Sequence, residues 1–176
     1  MEKEVFGAWV VAIGTTLAAL GNTPSLKLPS SLAKDLDVTG NVLQGTGSAI
    51  LADTEESFTL NKLGNMIQAT GNSTVVSGLL FPVQRETSLT LLIKGNLLQA
   101  LGSGTSLADD LNEERVLLNL YAVYGDLLQM IGNSLQAIAE GQELKGRDAQ
   151  TLETTGNWVQ AIGSYFSLLA TLPESP

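Results

Sequence analysis

The stretch Gly95-Asn-Leu-Leu-Gln-Ala-Leu-Gly102 carries the pattern that decides the fold. Its two glycines are seven residues apart, about two turns of an α-helix, so both lie on one side of a helix. At about 100° per residue, the three leucines fall on one arc, and Asn96, Gln99 and Ala100 fall on the opposite arc. Apolar and polar residues do not alternate as they would in a strand. The stretch therefore predicts a helix with one apolar face and one uncharged polar face.

The same pattern occurs six times along the chain, with first glycines at positions 7, 40, 64, 95, 125 and 156. The spacing between copies leaves room for one long helix and one turn in each repeat. We therefore predict an all-α protein, a single helical repeat domain over residues 1–176 built from six one-helix tandem repeats. Short connections make it a six-helix antiparallel bundle or array. The expected helices cover 3–21, 31–52, 55–79, 85–103, 107–141 and 148–172.

The glycines of the motif are predicted to be helix-packing positions. A glycine inside a helix costs about 0.5–1 kcal/mol relative to alanine, so twelve of them need a compensating interaction. Without side chains at these positions, two helices can approach closely, and this contact is the expected compensation. The twelve positions are Gly7, Gly14, Gly40, Gly47, Gly64, Gly71, Gly95, Gly102, Gly125, Gly132, Gly156 and Gly163.

The polar arc of the motif carries carboxamides rather than charges. Such side chains donate and accept hydrogen bonds, which favours an inter-helix hydrogen-bond ladder. The alternative is a polar surface that contacts a ligand or a partner. The candidate contact residues are Asn41, Gln44, Asn65, Gln68, Asn96, Gln99, Gln129, Asn157 and Gln160.

Charged residues collect between the motifs, where helices are expected to begin. Thr54, Ser106 and Asp148 are predicted N-caps, and the paired acids near them suit the positive end of a helix dipole. The segment 102–104, Gly-Ser-Gly, is predicted to end a helix, because no strand precedes it and no Gly-Lys-Ser/Thr follows as in a phosphate loop.

Composition excludes several classes of function. The chain has no cysteine and no histidine, which excludes a thiolate or imidazole zinc site and a Ser-His-Asp triad. A net charge of −9 disfavours nucleic acid and anionic membrane surfaces as partners. We therefore expect no catalytic, cofactor-binding or metal-binding residues, and a protein that is not an enzyme. The 44% apolar and 5% aromatic content predicts a core of Leu, Ile, Val and Ala.

The first motif copy also resembles the apolar region of a signal peptide. However, residues 7–14 match residues 156–163 at six of eight positions, so this stretch is better explained as the first repeat. The two copies share Trp9 and Trp158 at the same motif position. We predict that the terminal helices meet, either between copies of the chain or, if the array closes, within one chain.

The tandem Gly-Asn-x-x-Gln-Ala-x-Gly units resemble a group of repetitive small proteins predicted in spore-forming Gram-positive bacteria, with no assigned function. The resemblance covers nearly the whole chain and implies no activity, cofactor or catalytic residue. Copy one departs from the pattern with Ala8 and Val11, and copy five departs with Asp126. These departures indicate that not every carboxamide is essential.

Two functional hypotheses of different class follow from the sequence. The first is a cytoplasmic structural or interaction protein, a scaffold or adaptor that associates with itself or with a protein partner. The alternative is a membrane-embedded helical bundle with carboxamide-lined helix contacts. Residues 5–26, 63–84 and 154–172 are free of charge and long enough to cross about 30 Å of hydrocarbon.

Overall fold

A computed structural model describes residues 2–112 and 117–173. Its helices are α1 (Glu2–Gly21), α2 (Ser30–Thr54), α3 (Leu60–Leu80), α4 (Arg85–Asp110), α5 (Leu117–Leu144) and α6 (Gln150–Ala170). A short 3₁₀ turn, Pro24–Leu26, joins α1 to α2, and the described residues contain no strand. The predicted all-α, six-helix bundle is confirmed.

The largest differences from the predicted helix boundaries are at the start of α3, which begins at Leu60 instead of 55, at the end of α4 and at the start of α5. Helix α4 continues through residues 102–104 to Asp110, so the Gly-Ser-Gly segment is not a helix end and Ser106 is not an N-cap. A glycine ends a helix when it adopts a positive φ, and among the described glycines only Gly146 does so, at 73° in the turn before α6. The described part of α5 begins at Leu117 rather than near 107.

The caps also differ in part from the expectation. Thr54 is the last residue of α2, and the cap of the next helix is Thr59, whose hydroxyl accepts a hydrogen bond from the Lys62 amide at 2.9 Å. Asp148 does act near a helix start, because its carboxylate accepts from the Gln150 amide at 3.1 Å. These side chains satisfy amide groups that the first helical turn leaves unpaired.

The six helices form a closed ring. Each helix packs against its neighbours in sequence, and α1 packs against α6. Among the described residues, four hydrogen bonds join α6 to α1 and to the residues just after it. They link Thr15 to Ser164 at 2.7 Å, Thr16 to Tyr165 at 3.2 Å, Trp158 to Thr23 at 3.0 Å, and Thr154 to the carbonyl of residue 22 at 2.7 Å. The two terminal motif copies therefore meet within one chain.

A core of Leu, Ile, Val and Ala was predicted, and of these residue types alanine dominates the core of the described residues. The buried apolar residues are mostly alanines, with Val11, Val75, Leu89 and Leu168 as the larger exceptions. The buried polar residues outnumber them and include most of the motif carboxamides. The glycine and carboxamide arcs face the ring interior, so the leucine arcs face outward. The bundle is thus polar inside and apolar outside.

Candidate functional site: the polar axis of the bundle

The motif glycines pair between the two helices of each hairpin, α1–α2, α3–α4 and α5–α6. A Cβ atom built on Gly14 would lie 2.7 Å from the carbonyl oxygen of Gly40, and one on Gly71 would lie 2.7 Å from that of Gly95. Such distances are shorter than real Cβ contacts, so only glycine fits. The pairs are Gly7 with Gly47, Gly14 with Gly40, Gly64 with Gly102, Gly71 with Gly95, Gly125 with Gly163, and Gly132 with Gly156.

Some of the predicted carboxamides form a contact at the bundle axis. The side-chain amide of Gln160 donates to the carbonyl oxygens of Gln44 at 2.8 Å and Gln99 at 3.2 Å. Gln160 also accepts from the amide of Gln136 at 2.9 Å. These four residues, here called the glutamine cluster, join α2, α4, α5 and α6. Gln136 was not among the predicted contact residues.

The other predicted carboxamides make different contacts. Asn41, Asn65 and Asn157 donate to carbonyl groups four residues earlier in their own helices, at 3.0–3.1 Å. Gln129 reaches α6 through Ser167 at 2.9 Å, and Asn96 reaches α5 through Glu140 at 2.8 Å. The polar arcs therefore form local contacts and a few crossing bonds rather than a continuous ladder. Gln68 is buried and lines the cavity described below.

A second buried polar set follows the last glycine of every copy. All six of its members are almost fully buried, and most are hydroxyl residues. They are Thr15, Ser48, Asn72, Ser103, Asn133 and Ser164. The sequence signal was present, because this position is polar in all six copies. Sequence reasoning missed it because the motif was ended at the glycine.

Acidic residues lie near both ends of the axis. At the end where α2 and α6 begin, burial raises the pKa of Asp37 to about 6, against hydrogen bonds from Asn22 and Asn41 that lower it. Burial raises the pKa of Glu153 to about 7, and the nearby carboxylates of Glu143 and Asp37 add to the effect. Removal from water disfavours the charged form of each carboxyl.

At the opposite end, Asp126 of α5 hydrogen bonds Asp110 at the end of α4. Both side chains are buried. A hydrogen bond between two carboxyl groups needs a proton on one of them, so the pair carries at most one negative charge while it is intact. Asp126 stands where four of the other five motif copies have asparagine, which makes this pair specific to one hairpin junction.

A cavity of about 350 Å³ adjoins this carboxyl pair. Glu4, Glu55 and Thr171 contribute to its wall, so it lies towards the end at which α1, α3 and α5 begin. Ser106 also lines the cavity, and its buried hydroxyl, which lies against Gly64, has no hydrogen-bond partner among the described residues. The cavity is therefore lined by carboxyl, carboxamide and hydroxyl groups together with small apolar side chains.

The chain belongs to a family of unknown function, DUF6944. The family model matches residues 2–168 and so reaches into all six helices. No curated protein and no solved structure matches the chain. Family membership assigns no chemistry to the polar axis, so its function follows from geometry.

Proposed function

We propose that this protein is a membrane-embedded six-helix bundle whose apolar surface faces lipid and whose polar groups line the axis. This is the alternative of the two sequence-based hypotheses. The observation that carries it is that, among the described residues, 25 large apolar side chains are exposed around a polar interior. Examples from four helices are Phe6 at 60%, Leu101 at 58%, Ile138 at 51% and Ile162 at 51% exposed.

Water would not stabilise this arrangement. The hydrophobic effect drives large apolar side chains inward, and a monomeric protein in water rarely exposes so extensive an apolar surface. In lipid the driving force between helices is instead close packing through small residues, supplemented by hydrogen bonds between polar side chains. The paired glycines and the glutamine cluster are contacts of this kind.

Each helix has a stretch with almost no charge, and in α1, α3, α5 and α6 this stretch has the length of a membrane-spanning helix, whereas those of α2 and α4 are shorter. The stretches cover 5–21, 38–52, 63–80, 95–108, 117–139 and 154–170, with buried Asp126 as the exception. They contain 14 to 23 residues. At about 1.5 Å per residue they span roughly 21–34 Å, compared with about 30 Å for the hydrocarbon core. Exposed Lys94 borders the stretch of α4, and a lysine chain at such an edge can extend to the headgroups.

Of the described helices, only α1 has the length and mean hydropathy of a membrane span. A ring with a polar axis explains this result, because hydropathy is averaged over both faces of a helix. The inward faces of α2 to α6 carry Gly, Asn, Gln and Ser, which lower the average while the outward faces remain apolar.

We also propose that the chain arose by tandem duplication of a one-helix unit. In the same proposal, it is related to the repetitive proteins of spore-forming bacteria. Six glycine pairs in three similar hairpins support the duplication. Each hairpin joins its two helices through paired glycines and presents an apolar face. Three such hairpins close into a ring.

Cysteine accessibility tests the proposal, because the chain has no cysteine of its own. Leu101→Cys and Ile138→Cys place a thiol on the apolar surface, and Lys145→Cys places one at the charged end. All three positions are exposed. In intact membranes, we expect a charged maleimide to label the end position readily and the two surface positions at least about tenfold more slowly, because lipid excludes the reagent. Equal labelling in denaturant is the control.

Fractionation supplies the second arm of the test. We expect the chain to sediment with membranes and to resist extraction by alkaline carbonate. A chain that stays in the high-speed supernatant without detergent, with all three cysteines labelled alike or protected in a defined oligomer, contradicts membrane embedding. That outcome favours the scaffold or adaptor hypothesis, in which copies of the chain or a protein partner cover the apolar surface.

A further inference from the structure

We propose that the cavity beside Gln68 and Gln129 binds a small neutral molecule through a primary carboxamide group. This goes beyond membrane embedding and does not depend on it. Three features of the cavity support the proposal: valine replaces one motif glutamine in its wall, a buried amide there has no partner, and the rest of the lining suits an uncharged ligand.

The fifth residue of the motif occupies an equivalent place in all six helices, since it lies against a motif glycine of the hairpin partner in every copy. On α2, α4 and α6 it is glutamine, and Gln160 bonds the other two within the glutamine cluster. On α1, α3 and α5 it is Val11, Gln68 and Gln129, and all three line the cavity. Because valine has no carboxamide, the cavity lies where a third amide is missing.

The side chain of Gln68 is a buried carboxamide without a partner. It is 8% exposed, lines the cavity and forms no hydrogen bond with the described residues. Unlike the Ser106 hydroxyl, its amide keeps accessible surface, and this surface faces the cavity. Gln129 donates to Ser167 at 2.9 Å, while its carbonyl oxygen has no partner among the described residues. Unpaired buried polar groups are costly, so the site favours a ligand that supplies both donors and an acceptor.

A primary carboxamide matches these groups. Its carbonyl oxygen and one N–H can form a pair of hydrogen bonds with the Gln68 amide, and its second N–H can donate to the Gln129 carbonyl oxygen. The amide of Gln160 likewise donates to two carbonyl oxygens in the glutamine cluster. The ligand would therefore supply the group that Val11 lacks.

The size and the charge of the cavity favour a small uncharged ligand. Its volume of about 350 Å³ lies at the low end of the range for ligand pockets, and no residue of the glutamine cluster lines it, so it is a blind pocket. Leu51 and Leu118 supply apolar surface for a short carbon chain. The described lining includes no lysine or arginine, which disfavours an anion. Asp110 and Asp126 bond each other, which leaves the neutral carboxamides for the ligand.

Nuclear magnetic resonance of the purified protein in detergent, with isotope-labelled glutamine, tests the inference. Butyramide should shift the side-chain amide signals of Gln68 saturably, and Gln68→Leu identifies these signals because it lacks them. Methyl propyl ketone, which has a methyl group in place of the amide nitrogen, should bind at least about tenfold more weakly. Butyrate, which is charged, and n-butylammonium, which has no carbonyl acceptor, should also bind at least about tenfold more weakly.

Variants locate the site. Val11→Gln supplies the missing carboxamide from the protein, so it should weaken butyramide binding at least about tenfold without lowering the melting temperature. Gln68→Leu, followed at the side-chain signal of Gln129, should weaken binding by at least about tenfold as well. Gln150→Leu is the matched control, because Gln150 is exposed and does not line the cavity, and it should change the affinity by less than about twofold. Circular dichroism confirms folding, and Val11→Gln keeps the test decisive if Gln68→Leu does not fold.

Several results would overturn the proposal. They are the absence of a saturable shift, which indicates a cavity that holds water only, equal binding of butyramide and methyl propyl ketone, and unchanged binding in both Gln68→Leu and Val11→Gln. Tighter binding of n-butylammonium than of butyramide would also overturn it, because the carboxyl groups would then carry the site. Each of these results leaves the membrane proposal intact, because that proposal is tested by labelling and fractionation.

Discussion

Gly132 of α5 and Gly156 of α6 lie so close that a Cβ atom on Gly132 would come within 2.6 Å of the Gly156 carbonyl oxygen. The backbone amide nitrogen of Gln160 would also lie 2.6 Å from this Cβ atom. Both neighbours are backbone atoms, which cannot move aside as a flexible side chain can. The two helices can therefore accommodate a side chain at Gly132 only by separating.

Gly132→Ala should destabilise the bundle by about 1–3 kcal/mol, because the added methyl group overpacks a backbone contact. Gly141→Ala in the same helix is the matched control, since nothing lies within 4 Å of its Cβ position. Alanine there should instead stabilise the helix by up to about 1 kcal/mol. Thermal melting in detergent measures both changes, and equal shifts in the two variants would argue against close packing at Gly132.

The glutamine cluster predicts a strong effect of one apolar substitution. Gln160→Leu removes the bonding partner of Gln44, Gln99 and Gln136 together. Leaving buried amides unpaired should cost about 1–3 kcal/mol or more in thermal or denaturant unfolding. Gln150→Leu, at an exposed position in the same helix, should change stability by less than about 0.5 kcal/mol. A melting temperature unchanged by Gln160→Leu would show that the cluster does not hold the axis together.

We expect the side chains of the two tryptophans to contact lipid tails. Trp9 is 46% exposed and Trp158 is 37% exposed on the outer surface of neighbouring helices. In bilayers of brominated phosphatidylcholine, bromine should quench the fluorescence of each more strongly than aqueous acrylamide does. Trp9→Phe and Trp158→Phe leave one reporter each. Strong acrylamide quenching together with no bromine quenching would place these residues in water.

Glu153 predicts that the bundle is more stable in acid than at neutral pH. Its pKa is raised from 4.5 to about 7, so the folded state favours the protonated form. That stabilising contribution is complete below about pH 4.5 and is lost as the pH rises through about 7. The acids that face it are Glu143 and Asp37, and Glu140 lies in the same acidic group. Both Glu153 and Asp37 lie at the charged end, outside the uncharged stretches.

Melting temperatures in detergent at pH 5 and pH 8 check this dependence. Glu153→Gln should raise stability at pH 8 by about 1–2 kcal/mol and flatten the pH profile, because the neutral amide removes the cost of a buried charge. Glu56→Gln, at an exposed site, is the control. A wild-type protein more stable at pH 8, or a Glu153→Gln profile as steep as that of wild type, would contradict the assignment.

Helical periodicity was enough to predict six antiparallel helices, but not which face of each helix lies inside. An amphipathic pattern shows that two faces differ, and the surroundings decide which face is buried. Leu97 and Leu101 belong to the apolar arc that was expected to form the core, and the structure exposes both. The glycines held the missing information, because close backbone contact places the adjacent polar arcs at the axis.

The carboxyl pair was not predicted for a different reason. Asp126 was read as a departure from asparagine, and Asp110 as an acid near a helix start. The two residues are 16 positions apart and belong to different helices. Their contact depends on α4 continuing past Gly104, whereas the sequence predicted that α4 ends there.

Closure of the ring through α1 and α6 means that chain order is not what holds the helices in place. Helices α1 and α6 pack against each other although no loop joins them, with a less extensive contact than the pairs that a loop connects. Joining residue 173 to residue 2 by a short linker, and opening the chain within 55–59, would preserve every helix neighbour while giving the order α3-α4-α5-α6-α1-α2. The architecture is therefore compatible with circular permutation, and its three hairpins are interchangeable starting points for the same ring.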